Sequence, residues 1–407
     1  MSSDLRTDPE QPLPRAPDPW AGSEMPSHRD GPPFHMTEMI EAEPALSVRL
    51  LRRLADPAGP AARLAAAIRA SAERGLPIQV TGCGTSEHGA QATVEILREA
   101  MRSAGLPWRL GAAGTPVAVQ ALEGWLDGDF GEPGGLVIGI SHEGGTWATN
   151  LALKWAKASG ATVALLTVSG RSPGAAIADI VVTTDEQDQS WCHTVGYLSP
   201  ILAAAAVAGH LAGPAIDADV AAALLAAGLA PDAIARTERL AEALARVDRL
   251  IVVASGADRV AGRELVLKVE EGAHLPAAFR DLETLLHGHL AGMDDRTGVV
   301  LLLTDGTSPD ERRARAAGAL RAVAELGSRA GAILGESYAT DVSDDLLPAG
   351  RLVVPNATEL PRVVASLLGT TMPLQLLTER LARVRGVDPD PIRRDDPAYL
   401  RAADTAS

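Results

Sequence analysis

Three groups of residues combine types and spacings that suit chemistry. Glu264, Lys268 and Glu271 stand at i, i+4 and i+7, so on a helix a carboxylate, an ammonium and a second carboxylate share one face. On an isolated helix that pattern is usually a solvated ion-pair stripe. Around a ligand it is a proton-handling set, because a partly desolvated carboxylate next to an ammonium suits acid–base work. The second group, Gly82-Cys83-Gly84-Thr85-Ser86, follows an apolar run and opens a helical pattern. Helix N-terminal N–H groups with two hydroxyls make a receptor for an oxyanion, although the same residues also serve as a capped turn. The third, Ser141-His142-Glu143-Gly144-Gly145-Thr146, again lies between a strand pattern and a helix pattern. Neither turn reads as a dinucleotide fingerprint, and the chain holds no Gly-Lys-Ser/Thr phosphate loop.

These turns need a scaffold that alternates strand and helix, and the hydropathy pattern supplies one. Short apolar runs over residues 77–83, 136–140, 162–168 and 180–183 predict strands, with helices over 147–159 and 194–211. The pattern restarts with strands over 250–255, 299–304, 332–335 and 352–355 and helices over 259–274, 309–330 and 360–385. Such alternation predicts parallel sheets covered on both faces, an α/β doubly wound fold of the flavodoxin-like kind. The two halves read as a duplication, with the turn at Gly84 matched by Gly256 and the turn 141–146 matched by 304–308. The turns of the first half carry more glycines and hydroxyls, so an anionic ligand group is expected there, beyond the carboxyl ends of the strands.

Residues 1–35 hold eight prolines and almost no apolar period, which predicts a disordered leader. A first domain with its own N-terminal helices is expected over 36–213, a Pro- and Asp-containing joint over 214–232, a second domain over 233–385 and a tail over 386–407. At 407 residues the chain exceeds one hydrophobic core, as this division requires. Only 3% of residues are aromatic, so the core must be aliphatic. Lys and Arg number 37 against 52 Asp and Glu, a net charge of −15, which argues against nucleic acid or an anionic membrane as partner. Cys83 and Cys192 are the only cysteines, too few for a disulfide framework or a cysteine-rich metal site. The apolar run 201–209 is too short to cross a bilayer, and the N-terminus lacks a signal pattern. A cytoplasmic protein needing no metal or other cofactor is expected.

Residues 82–86 and 140–146, at this separation in a doubly wound sheet, resemble the sugar isomerase domain superfamily. The chain resembles more closely the isomerase half of the glucosamine-6-phosphate synthases, from Met36 to about Arg394. The likeness continues through residues 38–44, 264–271, His287-Gly288, 373–376 and 385–388. It implies a homodimer that acts on a sugar or sugar phosphate. It also implies that Lys268 and Glu271 are catalytic, that Glu264 orients Lys268, and that His287 opens the sugar ring from the other subunit. Substrate would rest on Gly84, Thr85, Ser86, Ser141, His142, Glu143, Gly144, Thr146 and His193. The implied reaction is aldose–ketose isomerisation or amino-sugar-phosphate deamination through an enediol, and the alternative is a sugar-phosphate sensor without turnover.

The chain departs from the family at four points. Residues 1–35 are too few for a glutaminase domain, so glutamine-dependent synthesis is not expected. The C-terminal lid stretch carries arginines and no lysine, so no Schiff base with a ketose is expected there. Glu143 stands where the family has a serine, and His193 where it has another; a carboxylate aimed into the loop would repel a phosphate.

Overall fold

The structure is a computed structural model that describes residues 7–128 and 130–406. Helices α1 (His35–Leu54) and α2 (Pro60–Glu73) precede β1 (Ile78–Gly82), α3 (Thr85–Ser103), β2 (Pro116–Gln120), α4 (Ala121–Asp127), β3 (Leu136–Ile140), α5 (Trp147–Ala158), β4 (Thr162–Thr167), β5 (Ile180–Thr183) and α6 (Val195–Ala212). Two helices follow, α7 (Ala218–Ala227) and α8 (Pro231–Leu244). The second half comprises β6 (Arg249–Ala254), α9 (Asp258–Ala273), β7 (Ala277–Asp281), β8 (Thr297–Leu303), α10 (Pro309–Glu325), β9 (Arg329–Gly335), α11 (Glu336–Ala339), β10 (Gly350–Val354), α12 (Arg362–Arg385) and α13 (Pro397–Ala406).

Each half builds one five-stranded parallel sheet. The orders are β2-β1-β3-β4-β5 and β7-β6-β8-β9-β10, the same winding repeated. The doubly wound α/β fold is therefore present twice. The central strands are apolar throughout, as burial on both faces demands: all five residues of β3 and all seven of β8 are buried. The edge strands β2 and β7 escape the hydropathy pattern because they are only partly covered; every residue of β7, Ala-Ala-Phe-Arg-Asp, is half-exposed.

Small residues set the helix packing in an aliphatic core. At Gly89 of α3 a Cβ would stand 3.2 Å from both Ile140 and Pro200, so α3 rests directly on the sheet and on α6. Helix α6 is long and apolar enough to cross a membrane by length and composition alone, yet 89% of it is buried inside the protein. It is a core helix, hydrophobic all round.

Two expectations change. The stretch 214–232, expected as a joint, folds as α7 and the start of α8: Asp217 caps α7 by accepting from the N–H groups of Asp219 and Val220, and Pro231 opens α8 at a position where its missing N–H costs nothing. The leader is the larger correction. Residues 1–6 lie outside the described residues, but residues 7–34 run along the first domain as an irregular segment of turns and coil. Leu13, Ala16 and Phe34 are buried, Arg15 bridges Glu186 in antiparallel fashion, and the Gln187 N–H donates to the Pro14 carbonyl at 2.9 Å. Prolines forbid a helix there but not an irregular strap held by fixed partners.

The tail is tied down as well. Asp390 accepts from the N–H groups of His35 and Met36 at 2.8 and 2.9 Å, capping the first turn of α1 from the far end of the chain. Trp191 donates its N–H to the Asp390 carbonyl, and the Arg394 guanidinium lies 4.4 Å from the Trp191 ring centroid.

Candidate active site

The carboxyl end of the first sheet is built from three turns. In the first, Gly84 adopts φ +58° and ψ −128°, a conformation open to glycine and strained for other residues. That twist lets Thr85 start α3 immediately, with the Glu87 N–H bonded to the Gly84 carbonyl. In the second turn, Gly144 has φ +72° and a Cβ there would collide with Ser172 Oγ at 2.0 Å. The Ser141 hydroxyl accepts from the Gly144 N–H at 3.2 Å and lies 3.3 Å from Thr146 Oγ1, while Thr146 heads α5. The second turn thus presents hydroxyls and N–H groups at a helix start, the arrangement that receives an oxyanion. Ser86 sits half-buried on the first turn of α3.

The third turn leads into α6 and is organised by Asp188, a residue the sequence did not single out. Its carboxylate accepts from the N–H groups of Thr194, Val195 and Gly196 at 3.1, 3.2 and 2.5 Å, a full N-terminal cap. His142 Nε2 accepts from the Asp188 N–H at 3.0 Å, which places the proton of the neutral ring on Nδ1. His193 packs edge-on against His142 with ring centroids 5.4 Å apart. Burial lowers the His193 imidazole to about 4, so it faces the site as a neutral ring. Asp188→Asn is expected to lower the unfolding free energy by about 2 kcal/mol, through the loss of a buried charge-assisted cap; chemical denaturation measures it.

In the second half the corresponding corner is filled by the chain itself. Asp258 accepts from the N–H groups of Thr304 and Asp305 at 2.6 and 2.9 Å and from the Ser366 hydroxyl at 2.8 Å. Asp305 in turn accepts from the Ala257 and Thr307 N–H groups. Both carboxylates are buried, so they take the donors that an external anion would need.

Helix α9 crosses from the second half to the first turn of the first sheet, carrying Glu264, Lys268 and Glu271. Lys268 is fully buried; its Nζ donates to Glu271 Oε2 at 2.5 Å and lies 3.6 Å from Glu264 Oε1. Glu264 is fixed by the first domain, accepting from Thr85 Oγ1 at 3.2 Å and pairing with His88 Nδ1 at 2.6 Å. Burial alone would push Glu264 up, but Lys268 and His88 bring its carboxyl below the usual range. Glu271 is different. Its side chain is 23% exposed at the open end of the trio, and burial raises its carboxyl despite the ammonium beside it. The two carboxylates more than offset burial for Lys268 and hold its ammonium protonated. The Cys192 thiol, 3.9 Å from the Lys268 carbonyl, joins the third turn to α9.

His287 is not part of this cluster within one chain. It lies beyond β7 with its side chain 69% exposed, 2.7 Å from Glu283, and Glu283 is also held by Arg315. Glu143 does not point into its own turn. Its carboxylate accepts from the Ser23 N–H at 3.3 Å and from the Ser23 hydroxyl, both on the N-terminal strap. His88 was detectable in the sequence, since it follows Thr85 by three on the same helix face. Ser23 and Asp188 carried no local signal.

Two doubly wound parallel sheets in tandem, with a glycine- and hydroxyl-rich corner on the first, define the fold class of the protein. The chain is similar to the isomerizing glutamine–fructose-6-phosphate aminotransferase of Gloeobacter violaceus, with 27% identity over 376 residues, across 88% of this chain. It spans 57% of that relative's length. No protein-family model matches the chain. Among solved structures, the C-terminal domain of glucosamine-fructose-6-phosphate aminotransferase from Francisella tularensis superposes with a TM-score of 0.72 at 18% identity, covering 89% of this chain and 99% of that one. Tagatose-6-phosphate ketose/aldose isomerase from Escherichia coli gives 0.69 at 17%, covering 90% and 98%. Glucosamine-6-phosphate deaminase from Thermotoga maritima gives 0.62 at 18%, covering 86% and 96%. At these identities the solved structures share the fold.

Proposed function

We propose that this protein is a cytoplasmic sugar-phosphate isomerase or amino-sugar-phosphate deaminase/isomerase that works through an enediol or enolamine. The observation that carries the reading is the buried Lys268 ammonium clamped between Glu264 and the partly exposed Glu271, where α9 meets the anion-receiving turns. Substrate phosphate would rest on Ser141, Gly144, Thr146 and the first turn of α3, placing the reacting end of the sugar toward α9. Glu271 would take the proton from C2 and return it to C1, and its raised affinity for protons suits both halves of that transfer. Lys268 would donate to the C1 carbonyl oxygen, stabilising the enediolate charge that develops there, and would relay the proton that leaves the C2 hydroxyl to that oxygen, ending protonated. With a 2-amino sugar the same transfer yields a C2 imine, which water cleaves to release ammonia. The relatives named for isomerase and deaminase activities support this reading. Incubation with a panel of hexose and hexosamine 6-phosphates, following ketose formation and ammonia release, tests it. Tight binding without turnover of any of them would make the protein a sensor instead.

The exposed position of His287 supports a homodimer in which that residue completes the neighbouring subunit's site as the ring-opening group. Mixed, subunit-exchanged Glu271→Gln and His287→Ala proteins are expected to recover up to about a quarter of wild-type activity per site, because half the dimers pair the two variants and each of those holds one intact site. No recovery despite exchange would place His287 outside the reaction.

A further inference from the structure

We propose that the N-terminal strap determines whether the second turn accepts an anion, with Ser23 and Trp20 as positioning residues that hold the Glu143 carboxylate away from the turn's N–H groups. This inference rests on the function proposed above, because it concerns how the same turn receives a phosphate.

The carboxylate of residue 143 sits at the start of a helix whose N–H groups and hydroxyls would bind it as readily as a ligand. A carboxylate that folded back would both occupy those donors and repel an incoming dianion, enough to weaken binding by more than tenfold. In the structure it is turned the other way by a chain of donors. Gln187 Nε2 donates to Ser23 Oγ at 2.8 Å, which leaves the Ser23 hydroxyl proton for Glu143 Oε1. The Ser23 N–H reaches Glu143 Oε2 at 3.3 Å. Trp20 Nε1 donates to the Glu143 carbonyl at 3.1 Å, and its ring lies 3.2 Å from where a Cβ on Gly145 would stand. The backbone and side chain of Glu143 are therefore both gripped from the strap side.

The strap that provides these donors is itself anchored on both sides of them. Upstream, the Leu13 N–H donates to Glu186 Oε2 at 2.9 Å, and Arg49 holds the same carboxylate at 2.8 and 2.9 Å. Arg171 pairs with Asp18. Downstream, Arg29 bonds Glu38 of α1 at 3.0 Å. A loose segment would lose too much conformational freedom to hold Glu143; one already fixed at both ends loses little.

The test compares wild type, Ser23→Ala and the double variant Ser23→Ala/Glu143→Ser, reading calorimetric affinity for a hexose 6-phosphate together with KM and kcat. Ser23→Ala is expected to weaken binding and raise KM about tenfold, with a smaller change in kcat. The double variant, in which no carboxylate remains to fold inward, is expected to regain wild-type affinity. A merely structural role for Ser23 would give a loss that Glu143→Ser does not rescue, and that result overturns the inference. So does a Ser23→Ala protein that binds like wild type. If Ser23→Ala does not fold, Trp20→Phe, which removes the indole N–H together with part of the ring over Gly145, is expected to raise KM in the same direction and to be rescued by Glu143→Ser; no rise, or a rise without rescue, overturns the inference. Failure of all the proteins to bind hexose 6-phosphates overturns the functional reading and this inference with it, whereas wild-type binding indifferent to Ser23 and Trp20 overturns the inference alone.

Discussion

Glu271→Gln is expected to lower kcat for interconversion of the substrate sugar by about a thousandfold while leaving its affinity within a few-fold. The amide keeps the size of the carboxylate and can still accept the 2.5 Å contact from Lys268, so the pocket and the ammonium stay in place. It cannot accept and return a proton, and positioned general acid–base groups contribute on the order of 10²–10⁴ in rate. A loss confined to kcat identifies a group acting in the transition state, not in binding. The wild-type pH profile adds a second readout. Burial raises the Glu271 carboxyl above its ordinary value of 4.5, and the base must be ionised to start the reaction. The acid limb of kcat/KM should therefore fall off at a higher pH than an ordinary carboxylate would give. Steady-state kinetics from pH 4 to 9, with calorimetric binding of the same sugar to both proteins, measure all of this; full turnover in Glu271→Gln would remove the proton-shuttle mechanism.

Much of the scaffold was legible because buried strands and amphipathic helices leave a period in the sequence. The runs at 136–140 and 180–183 coincide with β3 and β5 residue for residue, since their apolar stretches end abruptly in polar turns. Strands β2 and β7 were missed because Pro-Val-Ala-Val-Gln and Ala-Ala-Phe-Arg-Asp are broken by proline, glutamine, arginine and aspartate, whereas β5, also at an edge, opens with Ile-Val-Val. The helix over 309–330 was drawn too long: α10 ends at Glu325, and Gly327, with φ +70°, supplies the left-handed residue that follows a helix end.

The trio on α9 was legible as a stripe, because i, i+4 and i+7 hold regardless of what the helix faces. What the sequence could not show is that the stripe is buried, since burial comes from Thr85 and His88 on a helix some 180 residues earlier. The misreading of residues 7–34 has the same origin. Composition reports whether a segment can form its own core, and this one cannot; it is held instead by Glu186, Gln187 and Glu143. Glu143 followed from that omission: in isolation a carboxylate in an anion-receiving turn looks like a contradiction, and its partner lies 120 residues away.

Lys268→Met is expected to destabilise the protein by about 3–5 kcal/mol near neutral pH, more than removal of the ammonium from a surface pair would cost. The thioether fills most of the space, so the loss is electrostatic: Glu264, with no exposed side-chain surface, and Glu271, with 23%, remain as carboxylates without the cation between them. Breaking a buried pair by deleting one partner costs that much because the remaining charge stays desolvated. The sign with pH follows from linkage. In the wild type, Lys268 is raised, so its contribution is complete below its unfolded value and is lost only in strong alkali. Glu264 is lowered, so its contribution is present above its unfolded value and fades in acid. Without Lys268, the burial that already raises Glu271 loses its main opposition, and at Glu264 it is opposed only by His88 and Thr85, so both carboxyls rise from their wild-type values, Glu271 further above its unfolded value. The folded variant then binds protons more tightly than the unfolded chain, and its stability falls as pH rises from about 4.5. The gap between wild type and Lys268→Met should therefore be small near pH 4.5 and widen toward pH 8 in urea denaturation. Adding Glu264→Gln to Lys268→Met removes the more deeply buried of the two charges left without the ammonium and should recover part of the loss at pH 8 but little at pH 4.5. A gap that stays constant with pH would mean that Lys268 supports the fold by packing alone, and that the two carboxylates are not held ionised by it.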